Sequence, residues 1–169
     1  MCFIEAKSTV GGQVPYVKLN GLLVWNYTAG QFRAIFGVNV IIVDPANCTK
    51  KEWRHFGTGH SRSEAEELRD YLQRLRHGTI LVGVTYDEPT AHLNASKATL
   101  SQLGVDVYGV ASRAAFAFAT RKGDRARTVF KKQMNEKDAK RHPPRIFATF
   151  SGALYTIYHR SSLSLHCVP

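Results

Sequence analysis

The feature that most constrains this chain is an apolar run that stops abruptly at two acidic residues. The run spans residues 80–86 and lacks the strict alternation of a half-exposed strand. It is typical of a strand covered on both faces, in the middle of a sheet. Pro89 cannot donate a ladder hydrogen bond, so we expect the strand to end near Tyr86 and to deliver Asp87 and Glu88 into a loop.

Asp87 and Glu88 are candidate ligand-binding residues, because open α/β sheets bind ligands at the carboxyl ends of their strands. A purely structural interpretation is that the two carboxylates cap the turn that follows. Adjacent residues of an extended chain point to opposite faces, so this pair is poorly suited to general acid–base chemistry. The position therefore predicts recognition rather than reaction.

The motifs of several enzyme classes are missing from the sequence. No Gly-x-Gly-x-x-Gly follows a strand, and neither a Gly-Lys-Ser/Thr phosphate loop nor a Gly-x-Ser-x-Gly elbow occurs. His55 and His60 flank a Gly-Thr-Gly turn, but no zinc-site spacing of Cys and His accompanies them. We therefore predict a protein that is not an enzyme and that has no cofactor and no metal site.

Turn and helix signals divide the rest of the chain. Asn20-Gly21 predicts a hairpin, and Ser63 with Glu66 predicts a capping box at the start of the clearest helix. Helices are predicted at 63–77, at 94–103 with Asn94 as N-cap, and at 126–139; strands are predicted at 3–8, 14–19, 22–25, 37–45, 51–56, 105–110, 115–120 and 146–158. This order predicts an α/β or α+β sandwich that forms a single domain over residues 1–169.

The charge is strongly positive and uneven. The formal net charge is +10, and the segment from Arg121 to Arg145 alone carries about +7. Such a field attracts polyanions, and Arg127, Lys131 and Lys132 are the candidate polyanion-binding residues. The alternative is a solvated, charge-rich segment with no specific partner.

The cysteines and sequons bear on where the protein works. Cys2 and Cys167 lie near the chain ends, which are often close together in a domain, so we predict a Cys2–Cys167 bridge. Cys48 is left free, bridged to another chain, or paired outside this sequence. Candidate glycosylation sites are Asn26, Asn47 and Asn94.

The start of the chain and its hydropathy leave the compartment open. No stretch approaches the roughly 18 apolar residues of a membrane span. The first seven residues do not form a signal peptide. These observations are compatible with an intracellular protein and also with a mature or trimmed fragment of a longer protein.

Taken together, several segments resemble the ILEI/PANDER domain family of secreted, cytokine-like proteins. Their order and spacing hold over about 90 residues, within a core motif region at 30–123, and residues 124–169 would add a basic helix and terminal strands. The matching segments are Gly37-Val-Asn-Val-Ile-Ile-Val-Asp-Pro45, Phe56-Gly-Thr58, Gly78-Thr-Ile-Leu-Val-Gly-Val-Thr-Tyr-Asp-Glu88, Leu93, Leu100, Leu103-Gly104, Arg113, Phe116-Ala-Phe118 and Lys122-Gly123.

The resemblance implies a compact β-β-α sandwich, no catalysis, an extracellular or lumenal setting, and a disulfide joining Cys2 to Cys167. The same module forms the stem of a protein O-mannose N-acetylglucosaminyltransferase, where it acts as a lectin. The positions matching its sugar contacts are Asp87 and Arg113. Where the stem has a tryptophan and an aspartate around the arginine, this chain has Ser112 and Ala114. The alternative to a sugar site is that Asp87 and Arg113 form a structural ion pair that links two loops.

The function predicted on these grounds is a non-catalytic extracellular module that binds a glycan or glycosaminoglycan, alone or within a larger protein. The alternative is a secreted, cytokine-like ligand of a cell-surface receptor. An intracellular nucleic-acid binder is a third interpretation that rests on charge alone. It requires free thiols, and we predict no nucleic-acid partner.

Overall fold

The computed structural model describes residues 1–27 and 36–151, and in this part of the chain strands predominate. Among these residues, no helix is both long and apolar enough to cross a bilayer. The elements in chain order are β1 (Cys2–Lys7), β2 (Tyr16–Leu19), β3 (Leu22–Asn26), β4 (Gly37–Asp44), β5 (Thr49–Phe56), α1 (Arg62–Arg74), β6 (Ile80–Tyr86), a 3-10 turn (Leu93–Ala95), α2 (Lys97–Gln102), β7 (Phe116–Arg121), β8 (Asp124–Lys132), α3 (Glu136–Arg141) and β9 (Arg145–Phe150).

The strands form two antiparallel sheets. One has the order β3-β2-β1-β9 and the other the order β5-β4-β6-β7-β8. β6 is the middle strand of the larger sheet and all its residues are buried, as the apolar run predicts; it also ends at Tyr86 as predicted. Both neighbours of β6 run antiparallel to it. The α+β class is therefore confirmed, whereas the parallel-sheet ligand rule does not apply here.

The sheets and helices are stacked in three layers. Val82 on one face of β6 belongs to a core between the two sheets. Leu81 on the opposite face belongs to a second core, which includes Leu68 of α1 and Leu100 of α2. Because both faces are covered, an uninterrupted apolar strand is the stable choice at this position. The β-β-α arrangement implied by the family resemblance is confirmed.

Gly83 lets an aromatic ring lie directly on β6. It pairs with Phe118 of β7, and a Cβ built on Gly83 would lie 2.0 Å from Cε1 of that ring. The glycine therefore serves close packing rather than an unusual backbone conformation.

The end of β1 crosses from one sheet to the other. The buried Ser8 hydroxyl donates to the carbonyl of Phe116 at 2.5 Å and accepts from the amide of Thr85 at 2.8 Å. The next residue continues the connection, because the Thr9 amide donates to the Thr85 carbonyl and the Thr9 carbonyl accepts from the Asp87 amide, each at 3.1 Å. The last residues of β6 are thereby held from two sides.

Both predicted helix starts differ from the structure. The N-cap of α1 is Ser61, whose hydroxyl accepts from the Glu64 amide at 3.3 Å, so the predicted capping box at Ser63 and Glu66 is wrong. Glu64 instead accepts a hydrogen bond from the Gly57 amide, which fastens the preceding turn. The second helix begins with the 3-10 turn, and the N-cap position of α2 is Ser96 rather than Asn94.

Two further elements were predicted incorrectly. The basic helix predicted at 126–139 is a strand, β8, that pairs with β7 and is followed by the short helix α3. Residues 105–110 form no strand; Val105 and Val107 are instead buried in the helix-side core. Of the strand predicted at 146–158, β9 accounts for the first part and residues from 152 onward lie outside the described residues.

The disulfide joins different cysteines from those predicted. Cys2 is bonded to Cys48, with Cα atoms 5.1 Å apart, so the predicted Cys2–Cys167 bridge is wrong. Cys2 begins β1, and Cys48 ends the turn between β4 and β5, where its left-handed backbone (φ 57°) closes the hairpin. The bond thus links the two sheets, while Cys167 lies outside the described residues.

Candidate functional site

Asp87 follows β6 with its backbone in the left-handed region. Its φ is 57°, and its amide is held by the Thr9 carbonyl. Left-handed backbone is uncommon for residues other than glycine, although aspartate tolerates it better than most. The turn ends the strand at once and directs the carboxylate sideways, toward the start of the neighbouring strand.

Arg113 lies beside Asp87 because β6 and β7 are antiparallel. The end of β6 therefore neighbours the start of β7, and Arg113 lies three residues before β7. Its Nη2 donates to Asp87 Oδ1 at 2.7 Å, and its own φ is 56°. The expected proximity of the two residues is confirmed. Two left-handed, non-glycine residues in contact form a strained pair of loops, costing about 1 kcal/mol or more for each residue.

Glu88 fastens these loops together. One carboxylate oxygen accepts from the Thr90 amide at 2.7 Å and from the Thr90 hydroxyl at 2.5 Å. The other accepts from the Ser112 hydroxyl at 2.5 Å and from the Arg113 amide at 2.8 Å. Burial raises the pKa of Glu88, but these hydrogen bonds outweigh it and hold the pKa below its ordinary value. With four donors engaged, Glu88 sets the position of Arg113.

A third carboxylate, Glu136, reaches Arg113 from α3, and no motif in the sequence predicts this contact. Glu136 Oε1 lies 3.4 Å from Arg113 Nε and 2.6 Å from Lys140 Nζ. The hydrogen bond from Lys140, with the nearby Arg113 charge, lowers the pKa of Glu136. The Asn135 side chain caps α3 by accepting from the Asp138 amide at 3.0 Å, which fixes the helix beside the loop. Such an Asn-x-x-Asp cap is visible in the sequence, but its location beside Arg113 is not.

A family model confirms the resemblance that the sequence segments indicate. The model described as interleukin-like EMT inducer (ILEI) matches residues 36–124, which is 89 of the 169 residues. The chain belongs to the ILEI family. The predicted resemblance is thereby confirmed, and with it an extracellular, cytokine-like kind of domain. A comparison with curated proteins returned no match.

The ILEI match covers part of the site. Asp87, Glu88 and Arg113 lie within the matched residues, whereas Glu136 and the strands β1, β2, β3 and β9 lie outside them. The contact of Glu136 in α3 with Arg113 is therefore a feature of this chain that lies outside the family match.

The predicted polyanion residues of this ILEI chain do not share one surface. Lys131 is exposed on β8, and Lys132, as the next residue in a strand, points to the opposite face. Lys132 Nζ donates to the carbonyls of Asp106 at 2.9 Å and Tyr108 at 3.0 Å. Arg127 Nε lies 3.4 Å from an Asp124 oxygen. Polyanion binding by these three residues stays a prediction.

The three sequon asparagines differ in their surroundings. Asn26 ends β3 and is half-buried, and Thr28 of its sequon lies outside the described residues. Asn47 is exposed, and its Oδ1 accepts from the Thr49 hydroxyl at 2.7 Å. Asn94 is exposed in the 3-10 turn. Glycosylation at these positions stays a prediction.

Asn94 also lines an open cavity of about 450 Å³ between the first turn of α1 and the 3-10 turn. The other lining residues are Arg62, Ala91, His92 and Ala95. None of them belongs to the Asp87–Arg113 site. A glycan attached at Asn94 would extend from the lining of this cavity rather than from the loops that hold Arg113.

Proposed function

We propose that this ILEI domain is a non-catalytic extracellular recognition module that binds glycans through Asp87 and Arg113. The observation that carries the proposal is the ion pair itself, half-exposed and held on two left-handed residues. The side chain of Asp87 is 22% exposed and that of Arg113 is 41% exposed, so both can reach a ligand while remaining anchored.

The energetics favour a functional role over a structural one. An exposed ion pair contributes about 0–1 kcal/mol to stability. The left-handed backbone at its two residues costs at least as much. Backbone strain that the ion pair of the same two residues does not offset is typical of binding sites, where it holds side chains ready for a ligand.

The donor and acceptor pattern suits a sugar. Asp87 accepts hydrogen bonds from hydroxyl groups, and a guanidinium carries five N–H donors, of which the contact with Asp87 uses only some. Adjacent hydroxyls of a hexose present donors and acceptors at this spacing. The carboxylate adjacent to Asp87 is Glu88, whose oxygens are engaged by four donors, and Glu136 is paired with Lys140. These contacts support recognition without catalysis.

A glycan array tests the proposal with matched variants. Asp87→Asn keeps the shape and tolerates the left-handed backbone but removes the charge, so we expect about a tenfold loss of binding. The control is Asp70→Asn on α1, where Asp70 pairs with Arg69 at the same 2.7 Å. Equal binding by the wild type, Asp87→Asn and Asp70→Asn would refute the site. A wild type that binds neither neutral nor acidic sugars above background would refute the function.

A second candidate function, a cytokine-like ligand of a cell-surface receptor, is supported by the family and by the outer face of the four-stranded sheet. Phe3 and Phe147 stack there with ring centroids 6.1 Å apart, and both are exposed. Exposed aromatic pairs are typical of protein–protein contacts. Cell binding that survives glycosidase treatment and Asp87→Asn, but is lost in Phe147→Thr, would favour the receptor ligand over the lectin.

The extracellular setting of the proposed module is supported by the Cys2–Cys48 bond, because structural disulfides persist in oxidising compartments. Intact mass of the protein purified without reductant should be lower by two hydrogens than that of the fully reduced chain. A chain recovered with Cys2 and Cys48 as free thiols would contradict the extracellular setting.

A further inference from the structure

The structure points to a class of ligand for the Asp87–Arg113 site, an inference that rests on the proposed glycan binding. We propose that Glu136 makes this site selective for uncharged sugars over uronic acids and other anionic sugars. Glu136 thereby acts as a specificity residue, contributed by a helix outside the family match.

The guanidinium of Arg113 is already engaged by carboxylates on two sides. Asp87 accepts from Nη2 at 2.7 Å, and Glu136 lies 3.4 Å from Nε. That Nε atom is buried and donates to no acceptor at hydrogen-bonding geometry within the described residues. Glu136 thus opposes the charge of Arg113 without being bound tightly to it, and its closer partner is Lys140 at 2.6 Å.

The local charge balance is unfavourable for an anion. Three carboxylates, Asp87, Glu88 and Glu136, contact Arg113, and within residues 1–27 and 36–151 Lys140 is the only other cation in these contacts. An incoming carboxylate or sulfate must displace Asp87 or lie beside two negative charges. Each alternative weakens binding, because like charges repel most strongly where water is partly excluded.

A neutral sugar meets no such barrier. Its hydroxyls donate to Asp87 and accept from the guanidinium without breaking the ion pair. The surrounding chain keeps α3 close to the site: the side-chain Nε2 of Gln13 donates to the Lys140 carbonyl at 3.1 Å, and a Cβ added to Gly11 would lie 3.6 Å from Lys140 Cε. Glu136 therefore borders any ligand that contacts Arg113.

The test compares sugars that differ only in charge. Immobilised oligosaccharides ending in glucose or galactose are matched with those ending in glucuronic or galacturonic acid. Removing a unit charge about 7 Å from a ligand carboxylate in a water-like dielectric changes its affinity about threefold. We therefore expect Glu136→Gln to shift the acid-to-neutral binding ratio about threefold toward the acid, and Glu136→Lys to shift it further. Glu67→Gln, which removes the same charge from an exposed position on α1, should leave the ratio unchanged.

The outcomes separate this inference from the proposed function. Neutral binding by the wild type, with the expected change of ratio in Glu136→Gln, supports both. Neutral binding with the same ratio in the wild type and Glu136→Gln, or a wild type that prefers the uronic acids, overturns the role of Glu136 and leaves the glycan site standing. Absence of binding to every sugar by the folded wild type overturns the proposed function and this inference together.

Discussion

Removal of the Cys2–Cys48 bond should be among the most damaging changes available in this chain. The bond closes a loop of 46 residues between the two sheets, for which the chain-entropy model gives about 4 kcal/mol of stabilisation. A domain of this size has about 5–15 kcal/mol in total. Cys2→Ala or Cys48→Ala should therefore lower the free energy of unfolding by about 4 kcal/mol.

Urea denaturation of oxidised protein, followed by circular dichroism, measures these differences. Because either single change breaks the same bond, the double variant Cys2→Ala/Cys48→Ala should lose no more than the larger single loss. Wild type unfolded and refolded with reductant should behave like the variants. Additive losses at Cys2 and Cys48 would show that the two residues are not bonded to each other.

Two further changes test the core and the outer sheet face. Gly83→Ala should destabilise the protein by about 1–3 kcal/mol in urea denaturation, because the added methyl meets the Phe118 ring; unchanged stability would mean that the ring is not seated on this residue. The pKa of Glu5 lies below its ordinary value because the Tyr16 hydroxyl donates to its carboxylate, assisted by Arg145. A carboxylate whose pKa is lower in the folded state stabilises the protein above its unfolded-state pKa, and this stabilisation is lost as the pH falls. Glu5→Gln should therefore lower the free energy of unfolding fully at pH 7 and by less below about pH 4. A loss of stability that does not vary with pH would contradict this.

The central strands were predictable because burial on both faces dictates their composition. The largely apolar, non-alternating residues of β6 and β4 exclude a surface strand, and Pro89 excludes the continuation of β6. The helix α1 was predicted for the same kind of reason, since Leu68 and Leu72 recur at helical spacing. Its start was misplaced by two residues because both Ser61 and Ser63 offer a capping hydroxyl followed three residues later by a glutamate.

β8 was mistaken for a helix because its intrinsic propensity and its tertiary environment disagree. Arginine and lysine dominate residues 125–132 and favour helices in isolation. Pairing with β7, with Phe130 opposite Phe118, outweighs that preference. Residues 105–110 were predicted as a strand but form none, because Gly104 and Gly109 adopt left-handed backbone that interrupts a strand.

The candidate site was predictable only in part. Asp87 could be inferred from a strand end, and Arg113 from the family resemblance, but Glu136 comes from a helix whose location depends on the whole fold. The disulfide was predicted wrongly for a related reason, since three cysteines allow three pairings and no local signal distinguishes them. Contacts between distant segments are set by packing, which local patterns do not encode.

The pairing of β1 with β9 has a consequence for biosynthesis. Cys2 pairs with Phe150 in that ladder, so β1 is synthesised well before its partner β9. Translation takes roughly 5–20 s to cover the intervening hundred residues after Cys48. Throughout that interval one edge of β1 offers unpaired amides and carbonyls to any passing strand. Oxidation of Cys2 with Cys48, both of which precede β9 in the chain, would hold β1 against the nascent β4–β5 hairpin until β9 is available to pair with it.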